Sequence, residues 1–263
     1  SLVHEQFGDD RRTEIQASDA DELTMEALVD DEECAVTISM AGYVKRTPLS
    51  SLRAQRRGGK GRIGMETKQE DVVQNLFAAT NHQSLLCFTN KGRVYDIKVY
   101  QCPEAAWAAR GKHFANIIKL TEAEKVVSVL PIREFKENHF VVCVTAQGYV
   151  KKTDLMSYAN IRATGIIGLR LDDGDHLVAC DITAGNEEIL VSTKLGKAIR
   201  FSEEEARPMG RGSRGVTAIR FSEDGDSVIG MVVIRDTSTI LSVCEQGYGK
   251  RTPLEEYRTT ARG

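Results

Sequence analysis

The chain has 263 residues, 41% of them hydrophobic, which suffices for a real core in one large all-β domain or two smaller domains. Its net charge of −3 and pI near 6.0 exclude a uniformly basic nucleic-acid coat, so any anion-binding surface must be a patch or a stripe. No apolar run reaches the ~18 residues a membrane span needs, and no signal-like segment opens the chain.

Residues 1–22 are polar and charged and are expected to form a connector from something upstream, with a short helical turn around Leu23 to Leu28 opening a domain over 23–263. A strand, a glycine turn and a second, basic strand follow. This unit occurs five times: Thr37 to Arg46, Cys87 to Val94, Cys143 to Lys152, Val191 to Ala198 and Ser242 to Arg251. β-Branched and aromatic residues flank a glycine that can supply positive φ, so each copy is predicted to be a hairpin. The marker glycines at 42, 92, 148, 196 and 247 recur roughly every 50 residues, a period of blade-type repeats. Each hairpin leads through a polar loop to a further apolar stretch such as Leu177-Val178-Ala179-Cys180, giving about four short strands per period. The predicted fold is all-β, a propeller-like ring or spiral of small four-stranded sheets, with five begun in this sequence and the fifth incomplete.

The first repeat concentrates charge. From Ala41 to Gly64 there are seven basic side chains and no acidic one, centred on Gln55-Arg56-Arg57-Gly58-Gly59-Lys60-Gly61 and followed by Arg62. Glycine at three of those seven positions suits close approach to a backbone or ligand. Basic, glycine-bearing loops recur at Arg110-Gly111-Lys112, Arg162 to Gly165, Arg211-Gly212-Ser213-Arg214-Gly215 and Arg262-Gly263. Acidic residues gather elsewhere, in turns such as Asp172-Asp173-Gly174-Asp175 and Glu223-Asp224-Gly225-Asp226. With equivalent loops at equivalent radii, these loops and the strand residues Lys45, Arg46, Arg93, Lys151, Lys152, Lys197, Arg200, Lys250 and Arg251 are expected to line one edge. Such a stripe would hold bent duplex DNA by its phosphates, without base readout. The plainer alternative is a solvated basic surface. A second functional class is a protein-interaction propeller whose basic loops bind an acidic partner or acidic tail.

Catalytic signatures are missing from the sequence. None of the four Gly-Lys pairs has the earlier glycine and following Ser/Thr of a phosphate loop. His4, His82, His113, His139 and His176 are scattered without metal-ligand spacing, and no Gly-x-Ser-x-Gly elbow occurs. Trp107 is expected to pack under the second basic loop rather than stack on a base. The six cysteines are widely spaced, mostly within apolar runs, and read as reduced core residues of a cytosolic protein.

Gln55-Arg56-Arg57-Gly58-Gly59-Lys60-Gly61 matches in full the seven-residue box that marks the C-terminal domain of bacterial DNA gyrase A, a type IIA topoisomerase component. Glu5-Gln6-Phe7-Gly8-Asp9 and Arg11-Arg12-Thr13-Glu14-Ile15 resemble the segment leaving the breakage-and-rejoining region. Gly92-Arg93-Val94-Tyr95 and Gly247-Tyr248-Gly249-Lys250-Arg251-Thr252 resemble later blades. The related topoisomerase IV component lacks an intact box. The resemblance implies a six-bladed β-pinwheel that wraps double-stranded DNA so that the holoenzyme introduces negative supercoils with ATP. It also implies partners, the N-terminal region of gyrase A together with gyrase B in an A2B2 holoenzyme, and a cytoplasmic, nucleoid-associated location. The DNA-attacking tyrosine, ATP and Mg2+ sites would belong to those other regions, with no cofactor and no metal held by this chain. A box contact between first and last blades is part of the same expectation.

Overall fold

The five marker glycines turn five hairpins. In each, the glycine amide donates to the carbonyl three residues earlier, from Gly42 on Ser39 at 2.9 Å to Gly196 on Thr193 at 3.1 Å. Their φ values lie between +72° and +87°, a region that a Cβ disfavours. The structure, a computed structural model, describes residues 6, 8, 25–51, 65, 71–235 and 239–263. The box and Arg62, His4 and nearly all of the connector lie outside the described residues. The turn expected near Leu23 to Leu28 is a 3-10 turn over Met25–Leu28.

All ladders are antiparallel. The first sheet runs β3 (Val73–Thr80), β1 (Glu33–Ser39), β2 (Tyr43–Pro48), β6 (Lys112–His113). The second runs β7 (Val126–Ile132), β4 (Ser84–Thr89), β5 (Arg93–Lys98), β10 (Ile166–Ile167). In the third the order is β11 (Leu177–Thr183), β8 (Phe140–Thr145), β9 (Tyr149–Asp154), β14 (Val216–Thr217). The fourth holds β15 (Val228–Ile234), β12 (Glu188–Thr193) and β13 (Ala198–Ser202), and the fifth pairs β16 (Thr239–Val243) with β17 (Gly249–Pro253).

The four strands of a sheet do not all come from one period. Three belong to one repeat, and the short fourth strand arrives from the loop of the next: Lys112–His113 pairs with Tyr43-Val44, Ile166–Ile167 with Arg93-Val94, and Val216–Thr217 with Tyr149-Val150. The basic loops of the second, third and fourth repeats are therefore the crossovers that lace the first three sheets to their successors.

Both faces of the middle sheets are buried. Cys87 packs into a core with Val36, Val44 and Phe114, whereas its neighbours Leu86 and Phe88 enter a second core with Val141, Cys143 and Tyr158. Val142 and Val144 then point into a third core with Ile189, Val191 and Phe201. Strand alternation thus feeds successive inter-sheet cores, and each fully buried Val, Leu or Phe contributes about 1.5–3 kcal/mol of transfer free energy. Cys34, Cys87, Cys102, Cys143 and Cys180 are buried free thiols, but Cys244, read as core, is exposed. Burial pushes the Cys102 thiol up to about 12, which leaves it unreactive at neutral pH. Among the described residues no helix is long and apolar enough to cross a membrane.

Candidate nucleic-acid interface

Glycine at the crossovers serves packing. A Cβ on Gly111, at φ +83°, would lie 2.3 Å from the Val44 carbonyl oxygen, and one on Gly215, at φ +108°, 2.5 Å from that of Val150. In these loops the glycine lets the chain press onto the preceding sheet.

The strand lysines and arginines expected on the rim mostly fold inward. Lys45 is fully buried, its Nζ donating to the carbonyls of Ala106 at 3.0 Å and Trp107. Lys151 is equally buried and donates to Gly168 O at 2.8 Å and Arg211 O. Lys152 sits 3.0 Å from the fully buried Glu203 carboxylate and 4.4 Å from the Phe140 ring centroid. Arg46 reaches Cys102 O at 3.2 Å and Glu104 at 2.9 Å; Arg200 reaches Leu254 O, Tyr257 O and Glu188. The expectation that these five side chains face a phosphate backbone does not fit their placement. Each lies on a strand that the next repeat covers, and each satisfies carbonyls or a carboxylate there instead of water.

Others remain outward. Lys112, Arg162, Lys250 and Arg251 are exposed and make no ion pair among the described residues. Arg211 is half-buried, with its backbone carbonyl held by Lys151. Arg110 lies 5.6 Å from the Tyr43 ring centroid and the exposed Arg214 lies 4.4 Å from that of Tyr149. Arg93 donates to Thr164 O at 2.6 Å and stands 3.8 Å from Glu124. Lys197 pairs with Glu223 at 3.0 Å, and Arg214 with Asp172 at 2.7 Å.

Charge is consequently less segregated in space than along the sequence. The acidic turns approach the hairpins, where Asp175 accepts the Gln147 amide at 2.9 Å and Asp226 the Leu195 amide at 3.0 Å. Their role is to cap the glycine turns, and they bring carboxylates beside some of the rim cations. Among the exposed arginines that the sequence reading did not name, Arg170 and Arg220 make no ion pair among the described residues and stand each five residues past a crossover glycine, in Gly165-Ile166-Ile167-Gly168-Leu169-Arg170 and Gly215-Val216-Thr217-Ala218-Ile219-Arg220. That shared spacing was the available signal. Trp107 is half-buried, with Lys45 Nζ 5.8 Å from its ring centroid, in keeping with packing at the loop. No group of three or more His, Cys, Asp or Glu that could hold a metal occurs among the described residues.

The family described as DNA gyrase C-terminal domain, beta-propeller, matches residues 35–80, 83–133, 139–184, 187–235 and 239–263. These blocks coincide with the five repeats. DNA gyrase A of Salmonella typhimurium is 44% identical over 261 residues, 99% of this chain and 30% of the relative; that of Escherichia coli is 45% identical over 257 residues, 98% and 29%. The chain therefore spans about 30% of the length of these curated relatives. Among solved structures, the C-terminal domain of DNA topoisomerase IV superposes with a TM-score of 0.76 at 30% identity, covering 89% of this chain and 72% of the other. A DNA gyrase A C-terminal domain superposes at 0.69 with 22% identity, covering 88% and 75%, and shares the fold.

Proposed function

The chain belongs to the DNA gyrase C-terminal domain family, and from that premise we propose that it is a non-catalytic module that bends and chirally wraps duplex DNA, independently of sequence, within a cytoplasmic gyrase holoenzyme. The observation that carries this reading is the crossover. The basic loops of the second, third and fourth repeats each bridge to the preceding sheet, so their cations recur at matching positions along successive blades. Lys112, Arg162, Lys250 and Arg251, joined by Arg170 and Arg220, are exposed groups available to phosphates, and Arg214 is exposed but shared with Asp172. The box residues Gln55 to Gly61 and Arg62, which follow their marker glycine in the sequence as the other basic loops follow theirs, belong to the same proposal. Bending 20–30 base pairs by 40–90° costs on the order of 1–6 kcal/mol, which several phosphate contacts can offset through counterion release.

Within the holoenzyme, cleavage of DNA and use of ATP and Mg2+ fall to the rest of gyrase A and to gyrase B in an A2B2 assembly. The experiment is a salt titration of binding to a mixed-sequence duplex. A log–log slope of several units supports phosphate wrapping. Tight capture of an acidic polypeptide with no affinity for DNA would instead favour the acidic-partner reading.

A further inference from the structure

We propose that Lys45 and Lys151 are positioning residues for nucleic-acid binding: each buried ammonium fixes the backbone of the basic loop arriving from the following repeat and so sets where that loop's cations stand. This rests on the nucleic-acid reading above. The two lysines occupy the same place, three residues past their marker glycines, and grip the same place on the incoming loop. Trp107 O and Arg211 O lie equally far beyond the 3-10 turns that begin at Val99 and Glu203. Three residues after each gripped carbonyl comes the arginine that stacks on a hairpin tyrosine, Arg110 on Tyr43 and Arg214 on Tyr149. The next residue is the crossover glycine, whose added Cβ would come within 2.9 Å of Lys45 Cβ or 3.1 Å of Lys151 Cβ. Lysine, carbonyl and glycine thus clamp the segment from which the arginine projects. Where the second and fourth sheets carry Tyr95 and Ile199 instead, Arg93 and Arg200 hold carbonyls of the incoming segment, Thr164 O and Tyr257 O.

The charge has a cost that points to this use. Burial pushes both lysines down, Lys151 to about 8, with the Cys143 and Cys180 thiols, the Tyr158 hydroxyl and Arg211 as its titratable neighbours. A depressed lysine destabilises the fold while charged, and that destabilisation, fully present below about 8, is relieved as pH rises from there to the ordinary value of 10.5. A neutral, similarly long side chain therefore leaves global stability unchanged or higher, while the loop carbonyls lose their donor.

The test is hydrogen exchange on the full chain, comparing wild type with Lys151→Met and Lys45→Met, alongside thermal unfolding and duplex affinity. Lys151→Met is expected to speed exchange of the 209–217 amides about tenfold, with residues 188–193 and the melting temperature unaffected, and to weaken DNA binding. Lys45→Met should do the same to residues 105–114 and leave 209–217 alone. In the wild type, protection of 209–217, corrected for intrinsic exchange, should fall with a midpoint near pH 8 and show no such step in Lys151→Met. Unchanged loop exchange in both folded variants, uniform loosening of the third sheet, or loosened loops with undiminished DNA affinity would each overturn the proposal. A wild-type chain that binds no duplex would overturn it at the level of function, with the loop exchange still as expected.

Discussion

Arg214 lies over the ring of Tyr149, its guanidinium carbon 4.4 Å from the ring centroid, so a loop of the fourth repeat is seated on the hairpin of the third. The stack presents one edge of the guanidinium outward, and that edge meets Asp172 at 2.7 Å. A rim cation is thus held by an aromatic face and shared with a carboxylate that competes with phosphate.

Asp172→Asn should tighten binding to a short duplex about two- to fivefold, since an exposed ion pair of this kind is worth up to ~1 kcal/mol. Arg214→Ala should reduce the salt slope by about one unit. Fluorescence anisotropy across a salt series checks both; a weaker Asp172→Asn variant would contradict the competition.

Gly215→Ala forces a Cβ to 2.5 Å from the Val150 carbonyl oxygen at φ +108°. It should cost about 1–3 kcal/mol in urea unfolding. Gly212→Ala, in open space without positive φ, should cost under about 1 kcal/mol. Equal effects would deny that the crossover glycine is a packing requirement.

Burial pushes the Glu203 carboxyl up, but hydrogen bonds from Glu187, Thr183 and Lys152 outweigh it and hold it below its ordinary value of 4.5. A carboxylate with a depressed pKa stabilises the fold above its unfolded value, and that contribution disappears as pH falls below about 4.5 and through the folded value. Glu203→Gln, which leaves Lys152 unpaired, should cost about 3 kcal/mol at pH 7. Its stability should also decline less between pH 5 and 3 than that of the wild type, as urea unfolding over this range would report.

Arg200 ties the fifth repeat to the fourth through Leu254 O at 3.0 Å and Tyr257 O at 3.1 Å, while Thr259 reaches Glu188 at 2.8 Å. Arg200→Ala should expose the segment from Leu254 onward to proteolysis at several times the wild-type rate without lowering the main unfolding transition. Unchanged cleavage there would show that other contacts hold the segment.

The hairpins and their period were legible because glycine turns demand positive φ and β-branched runs flank them, and the φ values at Gly42, Gly92, Gly148, Gly196 and Gly247 follow that logic. The exchange of the short fourth strand was not. Lys112–His113 and Ile166–Ile167 are two-residue pairings, too brief to leave an alternation pattern, and their partners belong to another repeat. Lys45 and Lys151 misled for a related reason. Charge on a strand ordinarily means water, yet the covering segment is contributed from some sixty residues away and offers carbonyls. The acidic turns looked separate because sequence distance hides that Asp172 folds back beside Arg214.

The central claim is that the cations of successive repeats act together to hold a curved duplex. The most direct measurement is to saturate a nicked plasmid with the chain, seal the nick with ligase, remove the protein and resolve the topoisomers. Chiral wrapping predicts a shift in linking number of one sign that grows with protein added and collapses at high salt. A distribution identical to the protein-free control, under conditions where the chain is bound, would contradict it.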